Sequence, residues 1–309
     1  MSAPAAPGVY AELDDLVRLR FQARGYSFLP RQPVHSVLAG RHASRLRGRG
    51  LNFEEIRHYL PGDDIRAMDW HVTARTREPH VRVYTEERDR PVLLVVDQRQ
   101  SMFFGSRRAM KSVVAAEVAA LAAWRVLKAG DRVGALVFDD QEVVEIRPRR
   151  SNQQVMRILN VVVGKNHALR TDAGRLPNPQ MLNRALEHAA RVATHDHLVC
   201  LITDAAGTDQ ETARLVTLLA AHNDVLVVFV FDPLEAVLPD AGRLVMCEGD
   251  RQLDVDTSPR SLRDRYQSDF AQRRAATRDL ARQGHIPVLP LDTATDVSAQ
   301  LRELLGQRR

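Results

Sequence analysis

The chain has 309 residues, 44% of them hydrophobic and 27% charged, as in a globular protein with an ordinary apolar core. The net charge is +5, but acids are interleaved with the arginines and aromatics are only 5%, which disfavours a nucleic-acid-binding surface. No apolar run could span a membrane, no signal-peptide pattern begins the chain, and Cys200 and Cys247 are typical of buried thiols, so we expect a cytoplasmic protein without membrane insertion.

The first elements are short. Residues 10–24 have helical spacing, and the arginine- and glycine-rich residues 27–55 fit either a flexible basic loop or an ordered extension. Residues 70–76 and 80–87 predict the two strands of a β-hairpin joined at a Pro-containing turn, with Trp70 in the core.

From residue 92 onward, predicted strands and helices alternate. The apolar run from Val92 to Val96, which stops at Asp97, is typical of a strand buried on both faces of a parallel sheet. Further strands are predicted at 132–138, 142–147, 197–203, 225–231 and 285–291, and helices at 107–128, 153–163, 179–194, 209–222, 259–283 and 296–306. This order predicts an α/β fold of the Rossmann type, with a doubly wound, mostly parallel sheet.

We therefore predict two regions. Residues 1–90 form an N-terminal extension that carries the hairpin, and residues 91–309 form the α/β domain.

Oxygen-bearing side chains follow two predicted strands and one loop. Asp97 and Ser101 follow the first strand of the sheet, Asp204 follows the strand at 197–203, and Thr171 lies in the loop before helix 179–194. The carboxyl ends of parallel strands meet at one edge, where open α/β sheets bind ligands. Carboxylates and hydroxyls are ligands suited to Mg²⁺ or Mn²⁺.

The spacing Asp97-x-x-x-Ser101, with Asp204 and Thr171, resembles the metal-ion-dependent adhesion site of von Willebrand factor A domains, whose first motif is D-x-S-x-S. The resemblance implies a von Willebrand factor A-like fold in which hydroxyls and aspartates hold a cation that a partner's carboxylate completes.

An upstream segment resembles a second signature. Arg57-x-Tyr59-x-Pro61-Gly62-Asp63-Asp64-x-Arg66-x-x-Asp69-Trp70, followed by Ala74-Arg75, is similar to the signature of the domain-of-unknown-function-58 family, which precedes such a domain. The resemblance implies a MoxR-type AAA+ ATPase as partner, and a client protein complex that the two assemble or mature.

One position departs from the adhesion-site motif. Arg99 replaces its middle serine, and a guanidinium cannot ligate a cation. If Arg99 points inward, it can pair with Asp97 and Asp204 and replace the metal; if it points outward, the site keeps Ser101 and two aspartates. The first alternative predicts a degenerate site without a cofactor, and the second a site for Mg²⁺ or Mn²⁺.

The charged residues of the upstream signature favour a structural salt-bridge network over catalysis. These residues are Arg57, Asp63, Asp64, Arg66, Asp69 and Arg75. We expect the network to hold the hairpin to the sheet.

The leading hypothesis is a non-enzymatic adaptor, since the chain has no phosphate-binding glycine loop, no nucleophile elbow and no zinc-protease motif. Its predicted partner-binding edge consists of Gln98, Arg99, Ser101, Met102 and Asp204. Arg99 there would favour an acidic group on the partner. The alternative from another class is a divalent-metal-dependent hydrolase that uses the strand-end carboxylates.

Overall fold

A computed structural model describes residues 8–23, 51–86, 91–170, 177–248, 251–283 and 286–306. The chain divides into two compact units. The smaller comprises residues 35–89, and the larger joins residues 1–34 to residues 90–309.

The larger unit contains the predicted alternation of strands and helices. Its strands are β3 (Val92–Asp97), β4 (Val133–Phe138), β5 (Val143–Arg149), β6 (Leu198–Thr203), β7 (Asp224–Phe231), β8 (Arg243–Glu248), β9 (Arg251–Asp256) and β10 (Val288–Asp292). Its helices are α1 (Leu13–Arg18), α3 (Lys111–Ala129), α4 (Asn152–His167), α5 (Met181–Val192), α6 (Gln210–His222), α7 (Pro233–Ala236), α8 (Arg260–Gln283) and α9 (Val297–Gly306).

Six of these strands form one sheet, in the order β10-β7-β6-β3-β4-β5. Neighbours are parallel except β4 and β5, which are antiparallel. If the six strands are renumbered 1 to 6 along the chain, starting with β3, the sheet reads 3-2-1-4-5-6 from its β5 edge. This is the order of a doubly wound sheet, in which the winding reverses beside the first strand. The predicted fold class is therefore confirmed, and β3 lies at the reversal point.

β3 is buried on both faces, as its apolar run predicts. Val92, Leu94 and Val96 belong to a core with α3, α4 and α9, whereas Leu93 and Val95 belong to a second core with α5 and α6. Because β3 is central, the position of its last residue, Asp97, is set from both sides of the sheet.

α3 begins at Lys111, four residues later than predicted. Gly8 O accepts a hydrogen bond from Met110 N, and Phe104 O accepts one from Lys111 N, so the preceding residues form a loop held by its neighbours. This later start places Lys111 in the first turn of the helix, beside the carboxyl edge of the sheet.

The N-terminal residues 8–23 pack on the larger unit. Leu16 is 1% exposed, and its carbonyl accepts a hydrogen bond of 3.1 Å from Trp124 Nε1 of α3. The Ala11 amide donates to Asn166 Oδ1 of α4 at 2.8 Å. This segment, which we had assigned to the N-terminal extension, is thus a strap across α3 and α4.

Two strands of the larger unit were not predicted. β8 and β9 pair antiparallel in a separate two-stranded sheet between β7 and the long helix α8. Glu248-Gly249-Asp250 between them is a turn signal of the kind that joins hairpin strands. On either side of this turn, polar and apolar residues are mixed, so the strand pattern was not recognised.

The smaller unit is a hairpin of β1 (Leu51–His58) and β2 (His80–Glu86) with helix α2 (Trp70–Thr76). The prediction of a strand at 70–76 was wrong. Asp69 Oδ1 accepts hydrogen bonds from the amides of His71 and Val72, and this N-cap starts a helix. β2 pairs instead with residues 51–58, so residues 51–55, which we had placed in the arginine-rich stretch, are a strand.

Trp70 is 63% exposed, so its predicted place in the core was also wrong. It is the first residue of α2, where the Asp69 cap turns the chain and the indole faces outward.

Two predictions from composition can be compared with the described residues. Cys200 is a buried free thiol whose pKa is raised to about 12 by burial, as predicted for a structural cysteine. Among the described residues, no helix is long and apolar enough to cross a membrane.

Candidate functional site

Every parallel strand of the main sheet ends in, or is followed at once by, an aspartate. These residues are Asp97 at the end of β3, Asp139 after β4, Asp204 after β6, Asp232 after β7 and Asp292 at the end of β10. Because the carboxyl ends of parallel strands lie along one edge, the sheet gathers five carboxylates there. Asp97 and Asp232 are fully buried, so each requires compensating partners.

Arg99 points inward and pairs with Asp97. Its Nη2 is 2.7 Å from Asp97 Oδ2, its Nε is 3.0 Å from Asp97 Oδ1, and its main-chain amide also donates to Oδ1 at 3.0 Å. Thr203, at the end of β6, donates its hydroxyl to Asp97 Oδ2 at 2.6 Å. Asp97 is therefore held by a guanidinium fork, one amide and one hydroxyl.

The third nitrogen of the Arg99 guanidinium, Nη1, also makes hydrogen bonds. Nη1 donates to the carbonyls of Ala206 at 3.1 Å and Pro179 at 3.4 Å, while Nη2 lies 3.6 Å from Asp204 Oδ1. Burial lowers the pKa of Arg99, but the charges of Asp97, Asp204 and Asp140 outweigh it and the pKa is raised. With 2% exposure and an acceptor near each nitrogen, this guanidinium is out of reach of an outside carboxylate.

Lys111 provides a second buried cation. Its Nζ lies 2.9 Å from Asp204 Oδ2 and 2.8 Å from Glu235 Oε1 of α7, with 3% of its side chain exposed. Burial alone would raise the pKa of Asp204, but the nearby charges of Lys111 and Arg99 lower it by more. The pKa of Asp204 therefore lies below its ordinary value. The pKa of Lys111 is raised, because Asp204 and Glu235 outweigh the effect of burial.

These groups form one chain of alternating charges, Asp97–Arg99–Asp204–Lys111–Glu235, which we call the ion-pair chain. It joins the ends of β3 and β6 to the starts of α3 and α7. Sequence reasoning missed Lys111 and Glu235. The sequence did offer a signal, because only three lysines occur among its 44 lysines and arginines. Two of these lysines, Lys111 and Lys165, are buried in the structure.

Lys165 makes the corresponding contact one strand away. Its Nζ lies 2.9 Å from Asp139 Oδ2, and although burial raises the pKa of Asp139, this bond and two backbone amides bring it below the usual value. The adjacent Asp140 has the opposite shift, because burial raises its pKa more than its amide partners Asn178 and Gln100 lower it.

Asp232 completes the edge without a basic partner among the described residues. Ser106 donates both its amide and its hydroxyl, at 2.8 and 2.7 Å, and Thr293 donates its hydroxyl. These bonds bring the pKa of Asp232 below its usual value against the raising effect of burial.

The structure locates four of the five residues predicted for the partner-binding edge away from solvent. Gln98 and Met102 are fully buried and Arg99 nearly so, while only 5% of the Asp204 side chain is exposed. The Gln98 amide bonds to the Ser112 carbonyl at 2.9 Å and to Asn166 at 3.0 Å, in the interior of the unit. In this conformation a partner cannot touch Gln98, Arg99 or Met102, so for these three the expectation fails.

Of the two predicted hydroxyl ligands, Ser101 lies among the described residues and Thr171 does not. Ser101 Oγ is buried and, within the described ranges, has no hydrogen-bond partner. Thr171 lies outside the described residues.

The predicted aspartates do not fit a divalent cation while Arg99 holds this position. Its guanidinium lies between Asp97 and Asp204, where an ion would have to bind. Among the residues with described positions, no group of three or more His, Cys, Asp or Glu side chains could hold a metal ion.

In the smaller unit, the signature residues form a partial network. Arg57 makes a two-pronged pair with Asp63 at 2.7 and 2.8 Å, and Asp63 also accepts from the Leu60 amide, which closes the Pro-Gly turn. Asp64 caps the short 3₁₀ helix Ile65–Ala67.

The rest of that predicted network is arranged differently. Asp69 pairs with Arg82 of β2 at 2.7 Å. The side chains of Arg66 and Arg75 are exposed and, among the described residues, form no ion pair. The network therefore ties α2 and the turn to the hairpin.

Comparisons with known proteins cover most of the chain. The family model described as "Protein of unknown function DUF58" matches residues 55–276. Uncharacterized proteins from Mycobacterium bovis and Mycobacterium tuberculosis are each 30% identical over 302 residues, covering 96% of this chain and 92% of the relative.

Solved structures with similar folds are more distant. BatB, a conserved hypothetical protein from Bacteroides thetaiotaomicron, has a TM-score of 0.46 at 16% identity, over 71% of this chain and 96% of its own. A von Willebrand factor type A protein from Catenulispora acidiphila has a TM-score of 0.34 at 12% identity, over 73% of this chain and 44% of its own.

Proposed function

We propose that this chain, which belongs to the DUF58 family, is a non-enzymatic adaptor that binds other proteins. Its proposed partner is a MoxR-type AAA+ ATPase, with which it acts in the cytoplasm on the assembly or maturation of a client protein complex. The proposed partner rests on the resemblance of the signature segment to that of the family. The proposed non-enzymatic character rests on the ion-pair chain.

The observation that carries the non-enzymatic part is the state of the strand-end acids. Asp97 is bound by Arg99 and Thr203, and Asp204 is bound by Lys111 and approached by Arg99. A carboxylate that acts as a metal ligand or general base needs a free oxygen directed at water or substrate. Here salt bridges and hydrogen bonds satisfy the oxygens, which supports a structural use of these acids.

On this proposal the edge is a degenerate form of a metal-ion-dependent adhesion site. A partner then binds without sharing a cation, through exposed groups around the edge. Since Arg99 is buried and already bonded to Asp97, Pro179 and Ala206, the partner's acidic groups pair with other residues.

The test is a binding assay between two purified proteins, this chain and the MoxR-type ATPase of the same organism. We expect the ATPase to be retained on the immobilised chain equally with and without EDTA. ATP hydrolysis by the mixture, compared with each protein alone, reports whether the adaptor alters the ATPase.

Two results would count against the proposal. If the ATPase is not retained under any nucleotide condition, the partnership is wrong. If retention requires a divalent ion that EDTA removes and Mg²⁺ restores, the degenerate-site part is wrong; because MoxR-type ATPases bind Mg²⁺ with nucleotide, EDTA is compared in nucleotide-free buffer.

A further inference from the structure

We infer that residues 59–70 of the smaller unit, which we call the docking loop, bind an acidic segment of another protein. The bound segment has apolar side chains that cover the exposed apolar residues of the loop, and carboxylates that pair with its unpaired arginines. The inference rests on the proposed adaptor role, because an adaptor joins two partners and needs a second surface besides the edge of the main sheet.

The docking loop is closed by hydrogen bonds to the start of β2 at both of its ends. The Tyr59 amide donates to the Pro79 carbonyl and the Asp69 amide donates to the His80 carbonyl, each at 2.8 Å. The first bond lies on the side of β2 that pairs with β1, while Met68 forms a bridge to β2 on the opposite side. Since neighbouring strands are about 4.8 Å apart, the two ends of the loop lie about 10 Å from each other. Compact surface loops with close ends of this kind are frequently functional.

Hydrogen bonds within the docking loop fix its shape. The Asp63 amide donates to the Leu60 carbonyl at 3.0 Å, and the Asp63 carboxylate accepts from the Leu60 amide and from the Arg57 guanidinium. Asp64 then caps the short 3₁₀ helix that begins at Ile65. A surface that is already ordered loses little conformational entropy when a partner binds to it.

Three large apolar side chains of this loop face solvent. The exposed fraction is 58% for Leu60, 60% for Ile65 and 63% for Trp70. Single exposed apolar residues are common, but three on one closed loop are typical of a site that binds another protein. Tryptophan is also among the residue types that most often dominate the free energy of binding at protein interfaces.

The acidic residues of the docking loop are mostly paired inside the smaller unit. Asp63 pairs with Arg57 and Asp69 pairs with Arg82, each at 2.7 Å. The third acid, Asp64, is exposed and caps the 3₁₀ helix. One exposed carboxylate is therefore left to set against the arginines of this surface.

Two arginines outweigh that carboxylate. Arg66 of the loop and Arg75 of α2 are exposed and, within the described ranges, form no ion pair, while Arg77 and Glu78 beyond α2 balance each other in charge. Arg75 follows Trp70 by five residues in one helix, which separates them by about 7.5 Å along its axis. Because a guanidinium binds a carboxylate through two parallel hydrogen bonds, this surface favours apolar side chains flanked by Asp or Glu.

The same features disfavour three other occupants. A second copy of this chain would bring the same two arginines to a two-fold interface, where like charges repel. Residues 24–50, which lie outside the described residues, contain six arginines and no Asp or Glu, so their charge has the wrong sign. Single-stranded nucleic acid stacks its bases on aromatic side chains, and Leu60 and Ile65 provide none.

The test uses peptides, so it does not require the ATPase. A random peptide library displayed on phage is selected against the immobilised full chain. We expect the enriched peptides to combine Leu, Phe or Trp with neighbouring Asp or Glu. A synthetic peptide of the enriched sequence should bind to Trp70→Ala and to Leu60→Ala about tenfold or more weakly than to the wild type.

Phe21→Ala is the matched control for these substitutions. Phe21 is 62% exposed but belongs to the larger unit, so this variant should bind the peptide as the wild type does. Circular dichroism checks that each variant is folded, and Leu60→Ala keeps the test valid if Trp70→Ala unfolds α2, because Leu60 lies outside that helix. Arg66→Glu combined with Arg75→Glu reverses the charge and should weaken binding about tenfold or more.

Several results would overturn the inference. Selection that enriches no peptide, or enriched peptides that bind Trp70→Ala and Leu60→Ala as tightly as the wild type, would show that the loop is not a docking surface. A dimer that sedimentation shows to dissociate in Trp70→Ala would assign the loop to a second copy, and an oligonucleotide that binds the wild type but not Trp70→Ala would assign it to nucleic acid. Retention of the ATPase without peptide binding at the loop would leave the proposed function standing and remove only this inference.

Discussion

Lys111 shows at the scale of one residue what the ion-pair chain contributes to stability. Lys111→Met keeps the apolar stem but leaves Asp204 Oδ2 and Glu235 without a cation in the interior. Because removal of one partner leaves buried charge uncompensated, we expect the free energy of unfolding to fall by about 3–5 kcal/mol. Urea unfolding followed by circular dichroism measures the loss.

Lys128→Met is the matched control for this substitution. Lys128 lies in the last turn of the same helix, α3, and is exposed. An exposed substitution of this kind should change the free energy of unfolding by only about 0.5 kcal/mol. Equal losses in the two variants would mean that Lys111 stabilises helix α3 rather than the ion-pair chain.

The pKa of Asp204 sets the direction in which the stability of the fold changes with pH. Its pKa lies below the ordinary value of 3.8, since burial raises it but Lys111 and Arg99 lower it more. Its stabilising contribution is therefore complete above the pKa of the unfolded chain and is lost as the pH falls through the lower pKa of the folded state. We expect the urea midpoint to drop below about pH 4, and to drop less in Asp204→Asn. Parallel curves for the two proteins would assign acid unfolding to other groups.

How far the site was predictable differs from residue to residue. Asp97 and Asp204 followed from one rule, that strand ends share an edge. The direction of Arg99 could not follow from sequence, because it depends on acceptors at Pro179 and Ala206, which lie 80 and 107 residues away. Lys111 escaped because we placed it inside a helix that actually begins there.

At the scale of an element, the strap of residues 8–23 is linked to the end of β3 through two buried amides. Ala11 donates to Asn166, and Asn166 donates to Gln98, the residue after Asp97. Asn166→Ala removes both bonds and leaves the Ala11 amide and the Gln98 oxygen unpaired. We expect a loss of about 2–4 kcal/mol for the two buried groups.

Hydrogen exchange separates this effect from general destabilisation. Amides of residues 8–23 should exchange faster in Asn166→Ala, while β6 and β7 stay protected. Asn160→Ala is the control, because Asn160 lies on the same helix but is exposed. If both variants left the strap equally protected, the two amides would not hold it in place.

Helix α2 shows how a single cap can override composition. Trp70, Val72, Thr73 and Thr76 suit a strand, and they misled the prediction. Asp69 decides otherwise, since its carboxylate accepts two amides at the start of the helix and pairs with Arg82.

Asp69→Ala should therefore unravel α2 in the smaller unit. Loss of the cap alone costs about 1 kcal/mol, and exchange of amides 70–76 should accelerate. Asp64→Ala, which removes the cap of the neighbouring 3₁₀ helix, should spare α2. Unchanged exchange in Asp69→Ala would mean that contacts other than the cap hold the helix.

At the scale of the whole molecule, the fold of the larger unit was predictable because its strands are continuous apolar runs separated by helices with one apolar face. The hairpin β8–β9 and the pairing of β1 with β2 were not predicted. They belong to two-stranded sheets outside the main core, where the apolar signal is weak.

The last prediction concerns which parts of the chain the main sheet needs. Both core clusters are built from residues of the larger unit, and the strap contributes Leu16 to one of them. A variant in which a flexible linker replaces residues 35–89 keeps the strap and should unfold cooperatively with a free energy near that of the full chain.

A fragment of residues 90–309 tests the other half of that prediction. It keeps all six strands but lacks the strap, so the buried position of Leu16 and the acceptor of Trp124 Nε1 are lost. Loss of the Leu16 side chain alone should cost about 2–5 kcal/mol. Urea unfolding followed by tryptophan fluorescence compares the fragment with the linker variant. If the fragment were as stable as the linker variant, the strap would be a surface attachment, and the α/β domain would begin at residue 90 rather than include the N-terminal helix.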